Sequence, residues 1–265
     1  MTTLPPIAEF FDDAPMITPS AMHEKTIQIP TTITTAICTF LCDNIDHALL
    51  APILKESKLL FYIYGRSGKV PVYQYQEQCL LVLMTVGSPV AVAVVEELHA
   101  LGIRNVIAYG TAGLLDECIP ANACVLIEKA IRDEGASYHY LPPSVYVDTD
   151  PTLNAWVEKF LQSGGMPVVR GITWTTDALF RETKARAAKR QAQGAVVVEM
   201  ECAGFAAAAK RLGLRFSEFV FFSDTLTDAQ WHWYGDQSDH DARRSLKVTL
   251  LQALLEVVQK IKLPK

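Results

Sequence analysis

The sequence predicts an α/β fold, in which helices cover both faces of one sheet. Short apolar runs alternate along the chain with longer stretches of helical character. The apolar runs are continuous and do not alternate with polar residues, which is typical of strands that are buried on both faces. The chain also shows no internal repeat, low-complexity tract or linker. We therefore expect the strands and helices to form a single domain.

Eight strands and five helices account for most of this pattern. The strands are predicted over residues 33–41, 59–64, 80–86, 105–109, 124–131, 168–173, 195–200 and 216–222. The helices are predicted over residues 89–101, 151–162, 182–193, 201–212 and 239–261. Pro89 and Pro151 suit the first turn of a helix, and Gly102 and Gly213 suit the position just after the last turn. The longest predicted loops, 133–150 and 225–239, are rich in aromatic and polar residues, as functional loops often are.

The first thirty residues differ from the rest of the chain. They contain five prolines and are predicted to form an irregular arm, so the domain is expected to span residues 31–265. The stretch before residue 19 carries Glu9, Asp12 and Asp13 and no Lys or Arg. A secretory signal peptide needs a basic segment followed by an apolar one, so this arm is not expected to be one.

The composition excludes several classes of protein. Of the 265 residues, 50% are apolar, which is enough for a core that offsets the entropy of ordering the chain. The net charge is −5, and no Lys/Arg cluster of the kind that binds nucleic acid is present. No apolar run approaches the about 20 residues of a membrane-spanning helix. Six cysteines without a CxxC pair predict buried free thiols in a reducing cytoplasm, with no metal site.

Candidate binding groups follow the predicted strands, at the sheet edge where α/β proteins bind ligands. A strand that ends in Glu199, Met200 and Glu201 leads into an almost wholly apolar helix. Acidic residues are rarely buried without a partner, and one carboxylate accepts two hydroxyl hydrogen bonds at once. These residues therefore predict a site for a hydroxyl-rich ligand. Asp224 follows a strongly apolar strand and is either a helix N-cap or a functional acid.

Taken in order, these residues resemble the nucleoside phosphorylase superfamily, which includes purine nucleoside phosphorylase, uridine phosphorylase and methylthioadenosine nucleosidase. The resemblance runs from about residue 33 to residue 226, and its most specific part is VEMECAG at 198–204, which is similar to the family's ribose-binding signature. IRDEGASYHY at 131–140 resembles a loop of the uridine branch, and Ser223 with Asp224 resembles the purine branch. The family fold is a three-layer αβα domain around a mixed, partly barrel-like sheet.

The resemblance implies cleavage of the N-glycosidic bond of a nucleoside by phosphate, which yields a free base and ribose 1-phosphate. Glu201 would bind the ribose 2′- and 3′-hydroxyls, with Met200 against the sugar and Glu199 orienting the pair. Asp224 would protonate a purine N7, for which its pKa must be raised by burial.

Further roles are implied for residues that match the family pattern less closely. Ribose contacts would come from Thr111 and from His23 in the arm of a neighbouring subunit, the base wall from Trp174, Thr176, Leu179 and Phe180, and the phosphate or water site from Gly87, Ser88, Gly110 and Thr111. No metal or organic cofactor is expected, and phosphate would be a co-substrate. The family suggests a homo-oligomer, either a dimer or a hexamer built as a trimer of dimers.

Two departures from the family pattern keep alternatives open. Phosphorylases of this family hold phosphate with arginines, which make paired hydrogen bonds to it. Neither CDNIDH at 42–47 nor Ala108 before the Gly110 turn supplies one. Hydrolysis is therefore an alternative, and a nucleoside-binding protein without activity is another. A water could be positioned by one of the polar residues of the first segment, and phosphate by a basic residue elsewhere. The former are Asp43, Asp46 and His47, and the latter are Lys58, Arg66 and Lys69.

The segment QWHWY at 230–234 is more aromatic than either branch of the family leads us to expect. It is interpreted either as a lid over the base pocket or as a contact between subunits, because aromatic residues also anchor interfaces.

Overall fold

The structure, a computed structural model, describes residues 13–23, 26–41, 44–63, 70–227, 231–233 and 236–258. The helices are α1 (Pro19–Met22), α2 (Asn44–Lys55), α3 (Ser88–Ala100), α4 (Pro151–Ser163), α5 (Lys184–Ala192), α6 (Cys202–Leu212) and α7 (Gln237–Val257). The strands are β1 (Thr35–Thr39), β2 (Ser57–Ile63), β3 (Val70–Tyr75), β4 (Cys79–Leu83), β5 (Asn105–Leu114), β6 (Cys124–Asp133), β7 (Tyr146–Asp148), β8 (Val168–Thr176), β9 (Ala195–Glu199), β10 (Arg215–Thr225) and β11 (His232–Trp233). Short 3₁₀ turns lie at Ala136–His139 and Leu179–Arg181.

Five strands close into a barrel at one end of the sheet. Strands β5, β9, β8, β6 and β10 pair in that order, and β10 pairs back with β5. From β5 the sheet continues through β1, β4 and β3 to β2. Some of the pairs are parallel, such as β5 with β10, and others are antiparallel, such as β6 with β10. The expected mixed and partly barrel-like sheet is confirmed.

Helices cover both faces of the sheet, which confirms the three-layer prediction. On one face, Leu98 of α3 and Phe205 of α6 pack in a buried core with Val106 of β5. On the other face, helices α2, α4 and α7 pack over Ile107, the next residue of β5. Successive residues of a strand point to opposite faces, so each buried strand contributes to both cores. The continuous apolar runs in the sequence reflect this double burial.

All eight predicted strands are present, and the differences lie mainly at their ends. Strands β5, β8 and β10 run three or more residues beyond their apolar runs, and the added residues of β5 and β10 line the mouth of the barrel. Strands β3, β7 and β11 and helices α1 and α2 were not predicted. Helix α2 contains Pro52, which normally argues against a helix interior, and β7 lies inside the predicted loop 133–150.

The cysteine prediction is confirmed for four thiols. Cys38, Cys79, Cys124 and Cys202 are buried and free, Cys118 is exposed, and Cys42 lies outside the described residues. Burial raises the pKa of Cys79 and of Cys124 to about 12. In the part of the chain that the structure describes, His, Cys, Asp and Glu side chains form no group able to hold a metal ion. None of the described helices is both long and apolar enough to cross a membrane.

Helices α3 and α6 approach each other closely at Gly204, which generates a stability prediction. A Cβ at Gly204 would lie 3.0 Å from Ser88 Cβ and 3.2 Å from the Ser88 carbonyl oxygen. Ser88 is fully buried and its hydroxyl is hydrogen-bonded, so it has little room to move. We expect Gly204→Ala to lower the free energy of unfolding by about 1–3 kcal/mol, although alanine favours helix.

Denaturant unfolding of the purified variant measures this effect. Gly164→Ala at the end of α4 is the matched control, because its new Cβ would have no neighbour closer than 3.4 Å. The control should change the free energy of unfolding by less than about 0.5 kcal/mol. Equal stability of the two variants would show that α3 and α6 are not packed as closely as described.

Candidate functional site

A cavity of about 280 Å³ opens at the mouth of the barrel, where β5, β9 and β10 end. Five of the residues that line it are acidic: Glu182, Glu199, Glu201, Glu218 and Asp224. The described lining includes no Lys or Arg side chain. The cavity is therefore rich in hydrogen-bond acceptors and suits a neutral or positively charged ligand that carries donors.

Glu199 is the last residue of β9, and its side chain links β8 to the start of α6. One carboxylate oxygen accepts hydrogen bonds from the Thr175 and Thr173 hydroxyls, at 2.5 and 3.1 Å. The other accepts from the backbone N–H groups of Glu201 and Cys202, at 2.7 and 2.6 Å. These N–H groups form the positive end of α6, which stabilises a negative charge. Burial raises the pKa of Glu199, while all of these hydrogen bonds act to lower it.

Glu201 is held in the cavity wall by the turn that precedes α3. One of its carboxylate oxygens accepts a hydrogen bond of 2.5 Å from the Gly87 N–H. Gly87 has a φ of 116°, a backbone conformation that residues other than glycine rarely adopt. Glu201 is 6% exposed. Burial, followed by the nearby charge of Glu199, raises the pKa of Glu201 to about 8.

Two of the four residues expected to bind phosphate or water already use their hydrogen-bond donors within the chain. The Gly87 N–H is bonded to Glu201, and the Ser88 hydroxyl donates to the Met200 carbonyl at 2.8 Å. Both groups therefore shape the loop that carries Met200 and Glu201. Gly110 and Thr111 line the cavity, and the Phe40 ring packs so closely on Gly110 that a Cβ there would lie 2.8 Å from Phe40 Cδ2.

Asp224 reaches the cavity from an irregular part of β10. The pairing register with β5 shifts between Phe222 and Asp224, and such a bulge redirects side chains. One Asp224 oxygen accepts from the Ser223 hydroxyl at 2.5 Å, and the other accepts from Trp231 Nε1 at 2.9 Å. Gly113 makes room, because a Cβ there would lie 3.2 Å from Asp224 Oδ2. Asp224 belongs to a strand, so the N-cap interpretation is wrong.

Two acidic residues of the cavity were missed by sequence reasoning. Glu182 was placed at the start of a predicted helix, but it ends the second 3₁₀ turn and lines the cavity. Burial and the negative charge of Asp224 raise the pKa of Glu182 to about 7. Glu218 lies within β10, and burial raises its pKa as well. Its signal was visible, because a lone Glu inside the run FSEFVFF is unusual for a buried strand.

Three residues expected near the base lie outside the cavity lining. Trp174 is fully buried in a separate core, where its indole N–H donates to Asp133 at 2.9 Å. Successive residues of β8 point to opposite faces. Thr173 and Thr175 point toward Glu199 and donate hydrogen bonds to it, so Trp174 between them points away. Thr176 is also buried, and its hydroxyl accepts from the Ala178 N–H. Phe180 is 95% exposed, whereas Leu179 does line the cavity.

His23 is bound to its own chain, away from this cavity. Its Nε2 lies 2.8 Å from Glu97 Oε2 on α3, and its ring packs edge-on against Phe61. The arm is therefore held against α3, and a contact from His23 to a neighbouring subunit stays a prediction.

The acidic, histidine and basic residues that were named as alternatives for positioning a water or a phosphate contribute nothing to the described lining. Asp46 is buried beside Arg244, with the nearest atoms 3.9 Å apart. Lys58 lies on β2, at the far edge of the sheet. Asp43, Arg66, Lys69 and the His47 side chain fall outside the described residues.

Comparison with known proteins identifies the family. Residues 47–259 match the family model of the phosphorylase superfamily. The chain belongs to this superfamily.

Among curated proteins, similarity extends over half to two thirds of the chain. An uncharacterised protein of Acanthamoeba polyphaga mimivirus is 29% identical over 69% of this chain and 72% of its own length. A guanosine phosphorylase of Halorubrum lacusprofundi is 27% identical over 63% and 68%. A uridine phosphorylase of Salmonella typhimurium is 26% identical over 49% and 57%.

Solved structures show that the fold is shared over almost the whole chain. The purine nucleoside phosphorylase of Toxoplasma gondii superposes with a TM-score of 0.69 at 16% identity, covering 91% of this chain and 100% of the other. An AMP nucleosidase of Bacteroides thetaiotaomicron gives a TM-score of 0.60 at 18% identity, covering 82% and 87%.

The raised pKa of Glu201 predicts how stability depends on pH. Between pH 4.5, the ordinary pKa of a Glu side chain, and about pH 8, the folded protein retains on Glu201 a proton that the unfolded chain has released. The free energy of unfolding should therefore fall as the pH rises through this range. We expect Glu201→Gln, which cannot ionise, to show a smaller fall than the wild type.

Unfolding by denaturant at several pH values between 5 and about 8.5 tests this expectation. Glu117→Gln, at an exposed position, is the control and should keep the wild-type slope. A wild-type slope in Glu201→Gln would mean that folding does not raise the pKa of Glu201.

Proposed function

We propose that this protein cleaves the N-glycosidic bond of a purine nucleoside and transfers the ribose to phosphate. The observation that carries the proposal is a single cavity whose lining includes Glu201 and the acidic pair Glu182 and Asp224. Glu201 belongs to the segment that resembles the family's ribose-binding signature. A nucleoside needs acceptors for its ribose hydroxyls and a proton source for its departing base. Acidic groups supply both functions.

The charge of the cavity also suits the chemistry of bond cleavage. As the base leaves, C1′ of the ribose gains positive charge, and fixed negative groups that meet developing charge lower the barrier. Glu201 is expected to become an anion when it accepts the ribose hydroxyls, which replace the solvent that burial has removed. Its carboxylate can accept from both hydroxyls at once.

The relatives support transfer to phosphate, since the curated matches include phosphorylases of guanosine and uridine. Asp224, at the position that resembles the purine branch, favours a purine base. Hydrolysis is the second candidate, and the acidic lining favours it, because like charges repel a phosphate dianion and leave neutral water unaffected.

A nucleoside panel with and without phosphate tests the function. The purified protein is incubated with guanosine, inosine, adenosine and uridine, and free base, ribose and ribose 1-phosphate are measured. Base release that requires phosphate and yields ribose 1-phosphate supports phosphorolysis. Release of ribose without phosphate identifies a nucleosidase. Binding without release of base from any nucleoside would contradict cleavage and favour a binding protein.

Substitution of Glu201 tests the ribose site. Glu201→Ala removes two hydrogen bonds to a charged acceptor, each worth about 1.5–3 kcal/mol. We expect the affinity for a ribonucleoside, measured by calorimetry, to fall by about 100-fold or more.

Two controls make the result specific. Glu117→Ala should bind like the wild type, because Glu117 is exposed and does not line the cavity. A 2′,3′-dideoxynucleoside should bind the wild type weakly and lose little more with Glu201→Ala. Unchanged ribonucleoside affinity in Glu201→Ala would contradict the assigned ribose site.

A further inference from the structure

The hydrogen bonds of Asp224 occupy both of its carboxylate oxygens. One oxygen accepts from the Ser223 hydroxyl and the other from Trp231 Nε1. A proton on either oxygen would have to displace the Trp231 N–H or reverse the Ser223 bond, because a hydroxyl can accept as well as donate. Neither oxygen is therefore free to give a proton to a base in the space beside it.

Glu182 has the opposite environment in the same cavity. Within the described residues its carboxyl group has no hydrogen-bond partner, and it is more than half buried. The loss of solvent and, after it, the Asp224 charge favour its protonated form, and they raise the pKa of Glu182 to about 7. A general acid works best when its pKa lies near the working pH.

We propose that Glu182 donates the proton to the departing base, and that the anionic Asp224 keeps Glu182 protonated and poised. This inference rests on the proposed cleavage of a nucleoside. It changes the role that the family resemblance implies for Asp224, from proton donor to positioning residue.

The step balances as follows. The Glu182 O–H bond breaks and its proton bonds to N7 of the purine, while the C1′–N9 bond breaks and its electron pair enters the ring system of the base. The ribose C1′ is then captured by an oxygen of phosphate, or by water, which releases a proton. Glu182 is left as a carboxylate and recovers its proton from solvent.

Other charged groups act on Glu182 less strongly than Asp224 does. Glu199, Glu201 and Glu218 line the same cavity, but their pKa values respond chiefly to burial and to one another. Arg181 precedes Glu182 in the chain and is exposed to solvent. Asp224 is therefore the neighbour whose removal should change the titration of Glu182.

A comparison of two substrates tests the proton donor. Cleavage of guanosine requires a proton on N7 of its base. The base of 7-methylguanosine already carries a positive charge there, so it can leave without protonation. We expect Glu182→Gln to lower kcat for guanosine by about 100-fold or more, since a general acid contributes that much. The kcat for 7-methylguanosine should change far less, which also shows that the variant is folded.

The pH profile tests the role of Asp224. In the wild type, kcat/KM for guanosine should fall as the pH rises through about 7, where Glu182 loses its proton. In Asp224→Asn the neighbouring negative charge is gone, so this fall should begin at lower pH. At a pH low enough to protonate Glu182 again, the guanosine rate of Asp224→Asn should stay above that of Glu182→Gln.

The outcomes separate this inference from the proposed function. If the wild type cleaves both nucleosides and Glu182→Gln cleaves guanosine at the wild-type rate, Glu182 is not the donor. A 100-fold loss in Asp224→Asn at every pH would likewise return that role to Asp224. If the wild type cleaves neither substrate, with or without phosphate, the proposed function fails and this inference fails with it.

Discussion

The buried carboxylate of Glu199 is the interaction on which the site depends. A charge inside a protein is costly unless hydrogen bonds replace the lost water, and Glu199 accepts four of them. Two come from β8 and two from the first turn of α6, so the carboxylate fixes the angle at which α6 leaves β9. Glu201 lies two residues further on, and its direction follows from that angle. The VEMECAG segment thus links β9 to α6, in addition to its proposed role in binding ribose.

The second constraint is the number of acidic groups in a small space. Glu199 and Glu201 lie close enough for one charge to disfavour the other, and Glu218 joins the same group from β10. Glu182 and Asp224 form a separate pair. Each carboxyl is set apart by its donors: Asp224 is bonded on both oxygens, whereas Glu182 has no such donor among the described residues. Environments that push paired acids toward different protonation states are typical of acid–base sites.

Much of the fold was predictable because burial on both faces leaves a local mark. The apolar runs located every predicted strand, and the sequence VEMECAG located the joint between β9 and α6. The closure of the barrel was not predictable in this way, since the pairing of β10 with β5 joins residues about one hundred positions apart. The orientation of Trp174 failed for a related reason. Because Thr173 and Thr175 of β8 both donate hydrogen bonds to Glu199, the residue between them must face the other way.

The hydrogen bond between Trp231 and Asp224 has a spectroscopic consequence. Trp231 is half exposed at the mouth of the cavity, with Trp233 edge-on beside it, whereas Trp174 is sealed in a core and Trp156 is stacked on Phe160. A ligand that competes for the Asp224 oxygen would release the Trp231 indole from its carboxylate. Indole emission responds to such changes in polarity, and the other two tryptophans, which do not line the cavity, would contribute a constant background. The protein thus contains an intrinsic fluorescent reporter of whether its cavity is occupied.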